Sequence, residues 1–260
     1  MSTTHLLGTG DPAVMATSKP AVAVPTAADL ELRQVEILQV IYETSLESTK
    51  QVLPPGVHPS IPGHVSWQVW QCRESELGPF SLALNRVGCR LGIKPRCFTT
   101  RVVVDNDVVA DRLQSGWGYA VTKGSIRVRR GYDRIRGTVD VDDETILDIE
   151  LSDPLIFNGT AIRYPANLNL ARLPHGLRLI QADASYEFER IQRGKAVLHH
   201  FDSDAWDSRG LTPTWPMVAT MAKVNTKLHE VRYLSDPHLL AAQGTEDIRP
   251  KTAETDGKPV

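Results

Sequence analysis

Residues 97–123 read CFTTRVVVDNDVVADRLQSGWGYAVTK, and the changes of pattern inside this stretch decide the fold. Phe98 to Val104 is dense in Thr and Val, the β-branched side chains that suit a pleated strand. Asp105-Asn106-Asp107 follows, short polar side chains that hydrogen-bond their own backbone and interrupt the strand. Val108 to Gln114 then reads as one helical stretch that ends near Ser115-Gly116. Trp117-Gly118-Tyr119 opens an aromatic loop leading to Val121, Thr122 and Lys123.

Working outward, the period is mostly two. Leu32 to Leu38 and the run Ile37 to Tyr42 suggest a first strand. Glu43 to Leu53 reads as a short helix with Thr44 as its capping candidate, stopped by Pro54-Pro55. Val65 to Gln71 and Phe80 to Asn85 alternate apolar and polar side chains. Ser125 to Arg130, Arg134 to Val141 and Thr145 to Leu151 are strand candidates joined by turn residues, Gly131 to Asp133 and then Asp142-Asp143. Leu168 to Leu173, Leu177 to Tyr186 and Lys195 to Phe201 continue the sheet, and Val218 to Tyr233 is mixed, strand-like around Val231. Many short strands with closely spaced turns predict an α+β fold that is mainly antiparallel β, a barrel or sandwich with a few short helices. Residues 1–28 have no period that would bury a face and read as a disordered arm, and residues 241–260 as a flexible tail. The folded domain is expected over residues 29–240.

Composition narrows the function classes. Of 260 residues, 41% are apolar and 23% charged, and the formal charge is −2, which suits a globular core and gives no overall attraction to a phosphate backbone. Nucleic acid is therefore excluded as a partner. Arg127, Arg129, Arg130, Arg134 and Arg136 form the one basic cluster, either a solvated strand face or the rim of an anion site. Cys72, Cys89 and Cys97 lack CxxC spacing and nearby His pairs, so free thiols are expected and a metal is not. Cys97 has no flanking His to activate it as a nucleophile. No apolar run reaches the roughly 20 residues of a membrane helix, and no secretory signal opens the chain. The expected location is cytoplasmic, with no membrane partner.

Four strings, in order, carry a family resemblance. The first is the turn Asp105-Asn106-Asp107 followed without a gap by the loop Trp117 to Thr122. The second is Ile41-Tyr42-Glu43-Thr44 with Val52-Leu53-Pro54, the third RYPANLNLARLP at Arg163 to Pro174, and the fourth Phe201-Asp202, Leu211 and Trp215-Pro216. Over about residues 30–235 the chain resembles the acetoacetate decarboxylase superfamily. That resemblance implies a barrel or cone with an internal cavity, a keto-type small-molecule substrate, no cofactor, and assembly into a homo-oligomer.

The same resemblance exposes a loss. The family's chemistry is covalent: a lysine amine condenses with a ketone, and the iminium drains electrons from the breaking C–C bond. The column of that lysine holds Val121 here, and its cationic neighbour is Thr122. Lys123 is next in line, either carried inward by a one-residue bulge or left at the surface. Gln68 and Leu82 fall near the columns of the two pocket glutamates. Val35 falls near that of the carboxylate-binding arginine, for which Arg33 could stand in, since residues two apart share a strand face. Trp117 and Tyr119 either border the cavity or fill the core, and Arg101 points in or out of it. Arg163 serves a structural ion pair or the site. His200 is either a general acid–base group or, like His199, an ordinary strand residue. Glu187 and Glu189 share a face, most simply a solvated one. The expected function is a non-decarboxylating enzyme of lyase, dehydratase or cyclase type on a keto, polyketide-like or terpenoid-like small molecule of secondary metabolism. The alternative is a catalytically silent small-molecule-binding protein of the same fold.

Overall fold

The computed structural model describes residues 6–23, 25, 27–158 and 162–249. Strand β1, Leu30–Thr44, is the spine of one large sheet. On one side it pairs antiparallel with β3, His64–Ser75, which leads to β4, Phe80–Leu91, and β5, Lys94–Val104. The two-residue β2, His58–Pro59, also pairs with β4. Beyond β5 the pairing turns parallel, with β6, Val121–Lys123, against its C-terminal half and β10, Asn167–Leu173, against its N-terminal half. Strands β11, Gly176–Ala182, β14, Tyr233–Ser235, and β15, Thr245–Asp247, extend that edge. On the other side of β1 come β13, Pro213–Leu228, β12, Ala184–Phe201, β9, Glu144–Phe157, β8, Arg134–Val141, and β7, Ser125–Arg130.

The expected closure into a barrel does not occur. The strand order runs from β15 at one edge to β7 at the other, and these two edges do not pair. The reason is packing. The β7–β9 arm folds back over the centre of the sheet, so that a Cβ on Gly137 of β8 would sit 3.0 Å from Leu38 and 3.3 Å from Val69. Face-to-face burial replaces edge-to-edge hydrogen bonding. Between the arm and the sheet lies a core of Leu38, Trp67, Val69, Phe98, Leu147 and Ile149, each at 0% exposure. Each such side chain contributes about 1.5–3 kcal/mol of burial. A second core occupies the opposite face, with Leu32, Val35, Trp70, Leu82, Val102 and Trp117.

Helices are few and short. Helix α2, Leu46–Val52, is capped by Ser45, whose Oγ accepts from Ser48 N at 3.1 Å, rather than by Thr44, which closes β1. Helix α3, Asp107–Trp117, extends three residues past the expected end and is capped by Asn106. Among the described residues no helix is long and apolar enough to cross a membrane.

Three further expectations need correction. The arm is structured where it is described: α1, Pro12–Met15, follows a segment in which Gly8 N donates to Val57 O at 2.9 Å. Val22 N and Arg172 N form reciprocal bonds with Arg172 O and Pro20 O, all at 2.9 Å. Low hydrophobicity misled because this segment is held by its backbone, and Gly8 is obligatory: a Cβ would lie 2.2 Å from Leu53 O. Residues 1–5, 24 and 26 of that arm lie outside the described residues. The tail likewise forms α4, Ala241–Gly244, and β15, paired with β14, while residues 250–260 lie outside the description. The stretch 184–201 is one 18-residue strand, not the ends of two. Its Glu187 and Glu189 are both exposed, although the register shift between Phe188 and Arg190 breaks simple alternation.

The basic cluster is largely neutralised in place. Arg127 pairs with Asp140, Arg130 with Glu36 at 2.8 Å, Arg134 with Asp133 at 2.9 Å, and Arg136 with Asp148. All three cysteines are free and buried. Burial pushes the Cys97 thiol up and the Cys72 thiol to about 11, so neither is a ready thiolate.

Candidate functional site: an apolar chamber backed by a buried arginine

The second core surrounds a small chamber. Its walls are Leu30 and Leu32 of β1, Trp70 of β3, Phe80, Leu82 and Leu84 of β4, Val102 of β5 and Leu113 of α3. Tyr119, Asn167 and Tyr186 are the polar groups on it. The free space is about 20 Å³, room for about one water, so an organic ligand must displace wall side chains to enter.

Local sequence explains how Tyr119 reaches the chamber. Helix α3 ends on Gly118 at φ 69, with its N–H bonded to Gln114 O at 3.0 Å. This left-handed conformation suits glycine, and a Cβ there would meet Ile180 Cδ1 at 2.5 Å. The chain therefore turns back sharply and lays Tyr119 against β10. There Asn167 Nδ2 donates to Tyr119 Oη at 2.8 Å, and Asn169 Nδ2 to Trp117 O at 2.9 Å.

Behind Asn167 stands a residue that the sequence reading missed. Arg86 of β4 is 1% exposed. Its Nε donates to Asn167 Oδ1 at 2.8 Å and its Nη2 to Pro165 O. No carboxylate pairs with it among the described residues, whereas the buried or half-buried cations Lys19, Arg96 and Arg101 each have one, as a buried charge ordinarily requires. The signal was present: Asn85-Arg86 interrupts the otherwise apolar run of FSLALNRVGC, and a charge inside a strand buried on both faces requires a reason.

The face around Arg86 is a polar belt beside the apolar chamber. Gln68 Nε2 donates to Gln39 Oε1 at 2.7 Å, and its Oε1 accepts from Trp70 Nε1 at 3.1 Å, which fixes the indole as a chamber wall. Among the described residues the Oγ1 of Thr99 and the Oδ1 of Asn169 are buried without a hydrogen-bond partner, and the Thr220 side chain lies against the Tyr164 phenol. Thr99 is the cross-strand neighbour of Arg86, and Gln39 that of Gln68. Burial pushes the Tyr164 phenol up to about 12 and Tyr186 higher still. Burial also raises Tyr119, against the opposing pull of Asn167 and Arg86. All three are hydroxyl donors at neutral pH.

The structure gathers only part of the residue set expected from sequence. Leu82 and Tyr119 line the chamber, and Gln68 supports Trp70 behind it. Val121 is half-buried and packs against the same core, while strand alternation turns Thr122 to the other face. Trp117 fills core volume with its Nε1 bonded to His229 O at 2.7 Å. Lys123 lies at the rim: no bulge carries it inward, its side chain is 72% exposed, and it pairs with Asp107 Oδ1 at 2.5 Å. Arg101 points to the opposite face, where it bonds Asp207 at 3.1 Å and Ala205 O at 2.9 Å. Arg33 is exposed and pairs with Glu31, because a bulge at Gln34, φ 51, breaks its alternation with the buried Val35. Arg163 and His200 are exposed, and His199 faces Glu150 at 3.4 Å.

Comparison with known proteins agrees with this architecture. The acetoacetate decarboxylase family model matches residues 12–238. The chain belongs to the acetoacetate decarboxylase family. No curated protein sequence gives a significant match. Among solved structures, the enduracididine biosynthesis enzyme MppR complexed with pyruvate is 19% identical with a TM-score of 0.66, over 80% of this chain and 90% of that one. An acetoacetate decarboxylase from Legionella pneumophila is 14% identical with a TM-score of 0.67, over 82% and 88%. An acetoacetate decarboxylase-like enzyme from Sphingomonas wittichii RW1 is 15% identical with a TM-score of 0.65, over 78% and 92%. At these identities the likeness is one of fold, and the match begins inside the segment first read as a disordered arm.

Proposed function

We propose that this family member acts on a small keto-type molecule without forming an imine, as a non-decarboxylating enzyme of lyase, dehydratase or cyclase type. One observation carries the reading: among the described residues no lysine lines the chamber, and Val121 occupies the place where the resemblance puts the reacting amine. Without an amine there is no iminium, and the electron sink must come from hydrogen-bond donors aimed at a carbonyl oxygen. The chamber supplies apolar walls to orient a ligand and phenolic donors at one end, which suits positioning and acid-type assistance. The apolar walls match a substrate of polyketide-like or terpenoid-like character, as in secondary metabolism, in polarity, and wall side chains must move to admit it.

A second reading, a catalytically silent binding protein, draws on a different observation. Among the described residues no carboxylate, imidazole or amine lines the chamber, and those residues supply no conventional general base there. The test is a panel of β-keto acids and 1,3-diketones incubated with the full chain and followed by NMR. The proposal expects dehydration, hydration or ring closure of at least one compound with no release of carbon dioxide. Decarboxylation would overturn it, and binding without turnover across the panel would favour the silent protein.

A further inference from the structure

The geometry points to Tyr119 as the hydrogen-bond donor to a ligand's carbonyl or enolate oxygen, with Arg86 as a positioning residue acting through Asn167. This inference rests on the imine-free reading above and names the group that replaces the lost electron sink.

The argument begins with the direction of two hydrogen bonds. A guanidinium only donates. Arg86 Nε lies 2.8 Å from Asn167 Oδ1, so the amide oxygen must face the arginine, and the orientation of Asn167 is settled by chemistry. Its Nδ2 is then the atom 2.8 Å from Tyr119 Oη, and the phenol accepts this bond. The Asn169 side chain also bears on the phenol, and because it favours the ionised form it too acts as a donor, so no hydrogen bond among the described residues gives the phenol's own proton an acceptor. Tyr119 and Asn167 both line the chamber. That proton is therefore available to an oxygen placed in the chamber.

The chain Arg86 to Asn167 to Tyr119 is polarised from one end. Each donor in a row strengthens the next, and among the described residues no carboxylate pairs with the cation at the far end. The result favours negative charge at the near end, on an oxygen that accepts from Tyr119. A neutral ketone gains from this modestly, and an enolate gains more, because hydrogen bonds to charged acceptors are the stronger class. The ligand chemistry is thus a small, mostly apolar ketone or 1,3-dicarbonyl bound in its enolate form. Tyr186, the other phenol on the chamber, has no hydrogen bond among the described residues and no comparable relay behind it. It serves as the comparison.

Acetylacetone is a suitable probe, since its enolate absorbs in the near ultraviolet and its deprotonation midpoint can be titrated. With the full chain, the bound probe should ionise at lower pH than the free compound. Tyr119→Phe should weaken binding about tenfold or more and return the midpoint to that of free acetylacetone. Arg86→Met should move the midpoint part of the way back while the protein stays folded. Asn167→Asp gives an independent check should Tyr119→Phe fold poorly. A carboxylate beside Tyr119 would accept the phenol's proton and withdraw it from the chamber, so enolate binding should be lost even as Arg86 gains a partner and thermal stability rises. Absence of any midpoint shift in the unmodified protein, an unchanged midpoint in Tyr119→Phe, or its loss in Tyr186→Phe alone would overturn the assignment. Intact mass separates this from the reading beneath it: a covalent enaminone on a lysine would defeat the imine-free reading, whereas a non-covalent complex insensitive to Tyr119 would defeat only the present inference.

Discussion

Arg86 and Lys19 are both buried cations on opposite faces of one sheet, and their surroundings differ in kind. Lys19, 4% exposed, bonds Thr100 O and lies 3.1 Å from Asp207 Oδ2. Arg101 also reaches Asp207 at 3.1 Å, and Ser18 Oγ donates to it at 2.7 Å. This cluster clamps the N-terminal segment onto β5, and its charges are answered within the fold. Arg86 has only amide and carbonyl oxygens. Where a buried cation is matched by an acid, its role is to hold the chain in place. Where it is matched by neutral dipoles beside a chamber, its field remains available to a ligand.

The largest expected effect falls on the matched side. Asp207→Ala leaves two cations facing each other and should cost about 3 kcal/mol by denaturant unfolding, in keeping with breaking a buried pair. Next, Leu82→Ala at the chamber wall should cost about 2 kcal/mol, toward the low end for a buried leucine because it widens existing space. Arg86→Met should lie within about 1 kcal/mol of the parent, on either side, since it removes a cation that lacks an acid. If Arg86→Met instead destabilised more than Asp207→Ala, the contrast between the two sites would be wrong.

Titration sharpens the same contrast. Burial raises the Asp207 carboxyl, but Lys19, Ser18 and Arg101 outweigh it and hold it below the ordinary aspartate value of 3.8. A depressed carboxylate contributes stability that is present above its unfolded value and is lost as pH falls through its folded value. Stability should therefore decline below about pH 4 in the parent protein, and acid unfolding of Asp207→Asn should show a shallower decline in that range. The smallest effect is expected at Lys123→Ala. Its ion pair with Asp107 is mostly solvated, so stability should move by less than about 0.5 kcal/mol and acetylacetone binding should not change.

How much of this was legible in the sequence follows from what each feature depends on. Alternation in VSWQVWQ and the Thr/Val run of β5 reported strands because side-chain period is a local property. The turn at Asp105 to Asp107 was legible for the same reason, whereas the helix stop, expected near Ser115-Gly116, falls at Gly118. That the sheet stays open was not legible, because it turns on β8 folding back over β1 and β3, a contact between residues such as Gly137 and Leu38 about 100 positions apart. The N-terminal clamp was hidden because backbone pairing and one buried ion pair leave no period. Arg33 was misplaced by a bulge at Gln34 that no pattern announces. The assignment of Val121 to the place of the reacting amine rests on the family loop alone, while Arg86 stood out as an anomaly in an apolar strand.

The account depends on the chamber containing no reactive amine. The most direct test is borohydride reduction of the full chain in the presence of acetoacetate, followed by intact-mass measurement and peptide mapping. The account predicts an unchanged mass. A reduced adduct on the peptide carrying Lys123, or on that carrying Lys19, would contradict it.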